Sequence, residues 1–362
     1  LEAIIAYRDN GQALPAAPSL EVVREMIDFI AGQSLPEHYG PFLLGELGLN
    51  QEDPYAQPAL LQVDEGKRSA FHVLIIGAGM SGLLAGYRLK QAGVPFTIVE
   101  KNPSVGGTWF ENTYPGCRVD SPNHTYSYSF APNDWPQHFS AQPVLLDYFR
   151  QCAEAMGVLP NIRFNREVTE ARYDAETQQW VLSVKSPEGT ESFSGHALLT
   201  ATGQLNRPRM PEIEGLADAP FLTNETIFDL RDAPEHLVII GGGPIGMEMA
   251  QAHRRLGSNV TVIEAANALG REDPEIADFV LDSLREDGVT ILENAKVEKI
   301  TASKNARAPR VEVHTSAGKV SGTHLLLAAG RVANTARLNL PAAGVETTRT
   351  SADLPCIKTD KR

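Results

Sequence analysis

Residues 72–100 read HVLIIGAGMSGLLAGYRLKQAGVPFTIVE, and residues 236–264 read HLVIIGGGPIGMEMAQAHRRLGSNVTVIE. Each stretch opens on a short apolar run of strand type, passes through a G-x-G-x-x-G turn, continues as a helix and closes on a second apolar strand ending in glutamate. The spacing repeats too: Glu100 lies 23 residues after Gly77, and Glu264 lies 23 after Gly241. In a strand-turn-helix setting the glycines have separate tasks. Gly77 and Gly241 permit the tight turn, Gly79 and Gly243 let the backbone approach a pyrophosphate, and Gly82 and Gly246 pack the helix against the strand. The helix start then offers unpaired N–H groups and a positive dipole end to the phosphates. Glu100 and Glu264 are placed to accept the hydroxyls of an adenosine ribose. One such turn also arises for packing alone. Two, each followed by a carboxylate at the same spacing, predict two dinucleotide sites, the open alternative being that one unit is an empty copy.

Working outward, the same plan fills most of the chain, and internal repetition is its most informative feature. After Glu100 come the loop GGTWFENTYPGCRVD (106–120), a Tyr/Ser/Pro-rich segment, a helix around 144–156, a strand near Arg163 and an alternating hairpin in VTEARYDAETQQWVLSVKS. LLTATG (198–203) is a strand running into a glycine, and the Pro-rich NRPRMPEIEGL (206–216) leads into the second unit. That unit continues through a helix around 275–287, a strand, another hairpin and LLLAAGR (325–331). The expected fold is α/β, with two Rossmann-like dinucleotide-binding units and an N-terminal helical segment. Expected boundaries are a helical segment over 1–69, an FAD-binding domain over 70–216, a linker over 217–233, an NAD(P)H-binding domain over 234–332, and a truncated return segment over 333–362. In the N-terminal segment, LEVVREMIDFI (20–30) sets Val22, Met26, Phe29 and Ile30 at helical spacing. Its polar face is acidic, which suits packing or dimerisation rather than a membrane surface; a homodimer stays open.

Composition excludes several classes. The 362 residues suffice for two or three domains with full cores. A formal net charge of −13 without a Lys/Arg cluster argues against nucleic acid as a partner. Three widely spaced cysteines, Cys117, Cys152 and Cys356, suit a reducing cytoplasm and give neither a disulfide framework nor a zinc site. The apolar runs are too short to cross a bilayer, so no membrane is expected. The chain begins at Leu1 rather than Met, and its native start is expected upstream.

Two dinucleotides on one chain suggest a flavin reduced by a nicotinamide, with hydride passing between rings held at one interface. The strand-to-glycine stretches resemble the ATG segments of such flavoproteins, which puts Thr202, Gly203 and Gly330 beside the cofactors. The first unit carries the GGTW loop, as FAD domains do, and takes FAD. The second is expected to prefer NADH, with NADPH as the alternative. Glu264 would repel a 2′-phosphate, and Ala265, Ala266 and Asn267 supply no arginine to receive one. Arg271 lies further on and opposes that preference.

Residues 20–216 resemble the flavin half of type I Baeyer–Villiger monooxygenases, particularly the 4-hydroxyacetophenone monooxygenase branch. The likeness rests on FHVLIIGAGMSGLLAGYRLKQAGVPFTIVEKNPSVGGTWFENTYPGCRVDSPNHTYSYSF and ATGQLNRPRMP. It implies Gly107, Thr108 and Trp109 as FAD contacts, Asp120 as the carboxylate beside the reacting flavin and the candidate catalytic residue, Tyr126 at a matching position, and Val168 as an adenine-side contact. Residues 221–358 are similar instead to the NADH domain of pyridine nucleotide–disulfide reductases of the mercuric reductase and dihydrolipoamide dehydrogenase type. The chain reads as a hybrid, natural or engineered.

Disulfide reductases place a CxxxxC pair after these glycines; here Cys117 has no partner at short spacing, so it is expected to pack rather than relay electrons. Trp109 offers a flat apolar surface suited to covering a flavin, core packing being its other reading. The monooxygenase fingerprint FxGxxxHxxxWP does not follow IEGL, and no position matches that family's catalytic arginine. The resemblance implies Baeyer–Villiger-like oxygenation of a ketone by O₂ through a peroxyflavin. Its alternatives are an NADH oxidase or diaphorase that releases H₂O₂ or reduces another electron acceptor, and a catalytically idle cofactor-binding fragment.

Overall fold

The computed structural model describes residues 5, 9, 18–41, 62–203, 210–303, 310–330, 334–335, 337–349 and 355–358. Part of the Pro-rich connection, much of the N-terminal segment, Arg331 and part of the return segment, the closing TDKR included, lie outside these residues. The chain divides into two compact units, Leu1–Asn206 and Arg207–Arg362.

In the first unit, α1 (Leu20–Ala31) begins where Ser19 Oγ accepts from Val22 N at 3.3 Å, a cap contributing about 1 kcal/mol. It ends at Gly32, whose φ of +64° suits the left-handed stop. The predicted apolar stripe does not pack: Phe29 and Ile30 are 88% and 82% exposed, and the buried side chain of this helix is Val23. A short α2 (Glu65–Ala70), at the end of the segment expected to be helical, is capped by Asp64.

Next come β1 (Val73–Ile76), α3 (Met80–Gln91), β2 (Phe96–Val99), α4 (Thr108–Glu111), α5 (Gln142–Ala155) and β3 (Ile162–Arg163). An antiparallel set, β4 (Glu167–Asp174), β5 (Gln179–Ser186) and β6 (Gly189–Gly195), precedes β7 (Ala197–Thr200). The parallel sheet runs β3-β2-β1-β7. Its apolar runs are continuous because both faces are covered. Val73, Ile75 and Ile98 join Leu83, Leu145 and Phe149 on the helical side. Leu74 and Val99 join Leu182 and Val184 of the antiparallel sheet on the other.

The second unit repeats this three-layer plan with β8 (His236–Ile240), α6 (Pro244–Arg255), β9 (Asn259–Ile263), α7 (Pro274–Glu286) and β10 (Thr290–Leu292). The antiparallel layer is β11 (Val297–Ala302), β12 (Val311–Thr315) and β13 (Gly318–Gly322), followed by β14 (His324–Leu327). The parallel order is β10-β9-β8-β14. A hairpin of β15 (Thr347–Arg349) and β16 (Pro355–Ile357) closes the described residues. Leu237 and Ile239 pack with Met247, Ala250 and Leu281, while Val238 and Ile240 pack with Ile300, Val311 and Val313.

The repetition reaches single hydrogen bonds. His72 Nε2 lies 3.0 Å from Thr97 Oγ1, and His236 Nε2 lies 2.9 Å from Thr261 Oγ1. Asn165 and Asn294 both adopt left-handed φ, +56° and +53°. Their N–H groups donate to Asn102 O and Ala266 O, at 3.1 and 2.9 Å. Among the described residues, no helix is long and apolar enough to cross a membrane.

Candidate functional site

At the carboxyl end of β1 the chain turns at Gly77, where φ is +102° and a β-carbon would stand 2.6 Å from Ala201 O. Gly82, one turn into α3, faces Gly77 O so closely that a β-carbon would lie 1.9 Å away. Only glycine serves at either position. Gly241 and Gly246 repeat the pattern: a β-carbon on Gly241 (φ +113°) would stand 2.2 Å from Ala328 O, and one on Gly246 2.0 Å from Gly241 O. Gly79 and Gly243 are the N-caps of α3 and α6, with no side chain capping either helix. First-turn N–H groups at such ends have no partner within the helix, which makes each a ready anion cradle.

The two turns differ in what lies over them. A β-carbon on Gly79 would meet Gly107 Cα at 3.5 Å, and Gly106 N donates to Ala78 O at 3.1 Å. The glycine pair of the GGTW loop therefore rests on the first turn, backbone against backbone. A β-carbon on Gly243 would meet nothing within 4 Å among the described residues.

Both glutamates hold their turns from beneath, a role the sequence reading missed. Glu100 is 4% exposed; its Oε2 accepts from Ala78 N at 2.6 Å and its Oε1 from Asn102 N at 2.8 Å. Half-buried Glu264 accepts from Gly242 N at 2.7 Å and Ala266 N at 3.0 Å. A carboxylate removed from water needs such bonds, and each charge-assisted one contributes about 1.5–3 kcal/mol. The signal for this was the acidic residue at matching distance from each turn, read only as a ribose acceptor.

The loop after the first turn is tied inward. Trp109, 7% exposed, donates from Nε1 to the Tyr126 hydroxyl at 3.2 Å, with the rings edge to face at 5.7 Å. Gln142 at the start of α5 donates from Nε2 to Trp109 O and from its backbone N to Cys117 O. Tyr128 donates from its hydroxyl to Met80 O in the first turn of α3, and burial pushes that phenol well up. Gln142 belongs to no recognisable motif, and Tyr128, though within the stretch that carries the resemblance, is not among the contacts that it implies. Cys117 is buried and free, packed in the same core as Trp109. Beside it, burial and a hydrogen bond with the thiol raise the Tyr114 phenol. Cys152, also buried and free, has its thiol pushed up by burial.

Of the other predicted residues, Thr108 and Asp120 are exposed and Tyr126 is half-buried. Thr202 and Gly203 follow Ala201, whose carbonyl faces Gly77. Val168 sits in the antiparallel layer, packed with Leu74 and Val99; Arg166 N, two residues before it, donates to Glu100 O. Gly77, Gly79, Gly82, Glu100, Gly107 and the 201–203 turn thus gather at one end of the parallel sheet, while Val168 lies in a neighbouring layer. In the second unit Gly330 (φ +89°) follows Ala328, which covers Gly241. Arg271 is exposed. Among the described residues no group of three or more His, Cys, Asp or Glu side chains could hold a metal ion.

A family model described as pyridine nucleotide-disulphide oxidoreductase matches residues 71–354. A Baeyer–Villiger monooxygenase from Streptomyces coelicolor is 34% identical over 201 residues, covering 54% of this chain and 38% of its own length. A mercuric reductase from Shewanella putrefaciens is 29% identical over 295 residues, covering 77% and 51%. Among solved structures, the Cu(II) complex of an HOCl-induced flavoprotein disulfide reductase from Escherichia coli superposes with a TM-score of 0.56 at 27% identity, over 77% of this chain and 60% of that one. This chain therefore spans between about a third and a half of these curated relatives.

Proposed function

The chain belongs to the pyridine nucleotide-disulphide oxidoreductase family, and on that premise we propose that it is an FAD-dependent, NAD(P)H-oxidising flavoprotein of monooxygenase type. The observation that carries this reading is the doubled cradle, one turn covered by the loop glycines and the other open. Both cradles suit a pyrophosphate, since a side chain at any of the turn glycines would intrude on the turn or on the space before it. Gly77, Gly79, Gly82, Glu100 and Gly107 would hold FAD, with Thr108, Trp109, Tyr126, Val168, Thr202 and Gly203 around it. Gly241, Gly243, Gly246, Glu264 and Gly330 would hold the nicotinamide coenzyme. FAD, when bound, supplies acceptance of a hydride and delivery of the electron pair to O₂.

The chain's own groups set the conditions for that chemistry. Glu100 and Glu264 keep the turn N–H groups aimed at the phosphates. Trp109, locked by Tyr126 and Gln142, excludes water from the loop side. Cys117 contributes packing and no electrons, because it has no thiol partner. Asp120 is the carboxylate proposed to act on the oxygenation step, with a small ketone as substrate. The relatives named as monooxygenases favour this reaction over disulfide reduction.

A second reading is an NADH oxidase. Asp120 is exposed to water, which favours loss of the electron pair as H₂O₂. The deciding experiment compares NADH consumed, H₂O₂ released and ester formed. Ester in proportion to NADH supports oxygenation, whereas peroxide in equal amount to NADH identifies the oxidase. Protein that purifies without flavin and takes none up would overturn both.

A further inference from the structure

A second concave site lies in the first unit, away from the phosphate turn. It is a cavity of about 270 Å³ between α3, α5 and the 130–133 loop. Its walls are aromatic: Tyr87 stacks on Phe130 with centroids 5.0 Å apart and planes 25° from parallel, and Tyr148 closes the α5 side. Cys152 and Met156, both 6% exposed, form the floor. The Arg88 guanidinium lies 4.8 Å from the Phe130 ring centre, a cation–π contact that braces this wall. Tyr87 sits seven residues beyond Met80, about 10 Å along the helix at 1.5 Å per residue. The site is therefore separate from the turn at Gly79.

The polar content is sparse and specific. The Tyr148 hydroxyl is committed, donating to Ala131 O at 2.9 Å and accepting from Tyr128 N at 2.8 Å. Two lining residues, half-buried Asn133 and exposed Gln151, carry side-chain amides with no hydrogen-bond partner among the described residues, and Asn133 is the less exposed of the two. Aromatic walls with a small number of uncommitted amides form the usual pattern of a small-molecule site. Size narrows the class further. An apolar cavity of about 150 Å³ accommodates benzene, so this one admits one or two fused rings and no peptide helix. Among the described residues no carboxylate lines it; the Arg88 guanidinium faces the wall and the Lys90 ammonium is tied to Met156 O and Gly157 O, so nothing selects a charged ligand. We propose that this cavity binds an uncharged, flat molecule of one or two rings carrying a single hydroxyl or carbonyl group. The ring lies against the Tyr87, Phe130 and Tyr148 walls, and its polar group bonds to the Asn133 amide.

The test is calorimetric titration of the full purified chain with 2-naphthol. Saturable one-site binding is expected, with a Kd between about 10 μM and 1 mM, unchanged by added FAD or NADH. Ala155→Trp, at the exposed end of α5 on the cavity wall, fills the space and should raise Kd about ten-fold or more with no change in cofactor content. Asn133→Leu removes only the polar contact. It should weaken 2-naphthol about five-fold, the range of one hydrogen bond, and leave naphthalene binding as it was. Absence of saturation, displacement by FAD or NADH, or equal affinity in both variants would each overturn the assignment.

Discussion

Gly79 and Gly107 touch through their backbones, and a β-carbon on Gly107 would stand 3.0 Å from Gly79 Cα. Gly243, the counterpart of Gly79, has no such neighbour among the described residues. In the proposed reading the covered cradle would retain a resident flavin and the open one would exchange a diffusing coenzyme.

Gly79→Leu should therefore yield protein with about ten-fold less flavin or worse, read from the ratio of visible to ultraviolet absorbance. The leucine would fill the space between the two glycines as well as the approach to the turn. Gly243→Leu should keep its yellow colour and lose NADH oxidation. Full flavin content in the first variant would refute the assignment of FAD to this turn.

The Glu264 carboxylate bonds two backbone N–H groups and also meets the coenzyme ribose in the proposed reading. A charge-assisted bond to the ribose contributes about 1.5–3 kcal/mol, which predicts a ten- to hundred-fold preference for NADH over NADPH in kcat/KM. Glu264→Gln retains an acceptor oxygen for Gly242 or Ala266 and removes the charge, so the ratio should fall towards one. Equal kcat/KM in the unaltered protein would show that exposed Arg271 governs the choice instead.

Cys117→Ser should leave the rate of flavin reduction by NADH within about two-fold, well below the 1.36 kcal/mol of a ten-fold change. Stopped-flow traces should also lack a thiolate-to-flavin charge-transfer band, because the thiol is buried in the core with Tyr114 beside it. Asp120→Ala, by contrast, should spare reduction and shift products towards H₂O₂. A serine variant that cannot be reduced would make the protein a thiol reductase.

Four histidines make stability depend on pH. Burial lowers the pKa of His72, His236, His253 and His324 below the ordinary 6.5; neighbouring His196 adds to the shift at His72, and His324 to that at His253. A lowered histidine is neutral in the fold and protonates more readily in the unfolded chain. Stability is therefore full above pH 6.5 and falls as pH drops from there towards the folded values. Tm should decrease between pH 7.5 and 5.5. His253 Nδ1 and Ser258 Oγ are buried with no hydrogen-bond partner among the described residues, whereas the matching residues of the first unit, Leu89 and Val94, are apolar and packed against the core. His253→Leu should thus flatten the decline, and a slope identical to that of the unaltered protein would exclude this histidine from it.

Local rules made the two cradles readable. Glycine spacing, strand runs and the closing glutamate are all encoded within 29 residues, and the structure repeats them down to the His72–Thr97 and His236–Thr261 contacts. Relations between distant segments were not readable. Periodicity in 20–30 announces an amphipathic helix but not its neighbour, and Phe29 and Ile30 turn out exposed. Gln142 holds Trp109 and Cys117 from over twenty residues away, and no spacing rule announces such a contact. The glutamates concealed a second role because the bonds that reveal it go to backbone.

The paired left-handed asparagines carry one more implication. Asn102 to Asn165 spans 63 residues, and the equivalent path from Ala266 to Asn294 spans 28. Both paths leave and rejoin the sheet through the same hydrogen bond. The excess of 35 residues is therefore accommodated between one pair of fixed anchor points. Trp109, Cys117, Asp120, Tyr126 and Tyr128 all lie on that longer path, so much of what is chemically particular to the first half enters between two anchor points that the second half shares.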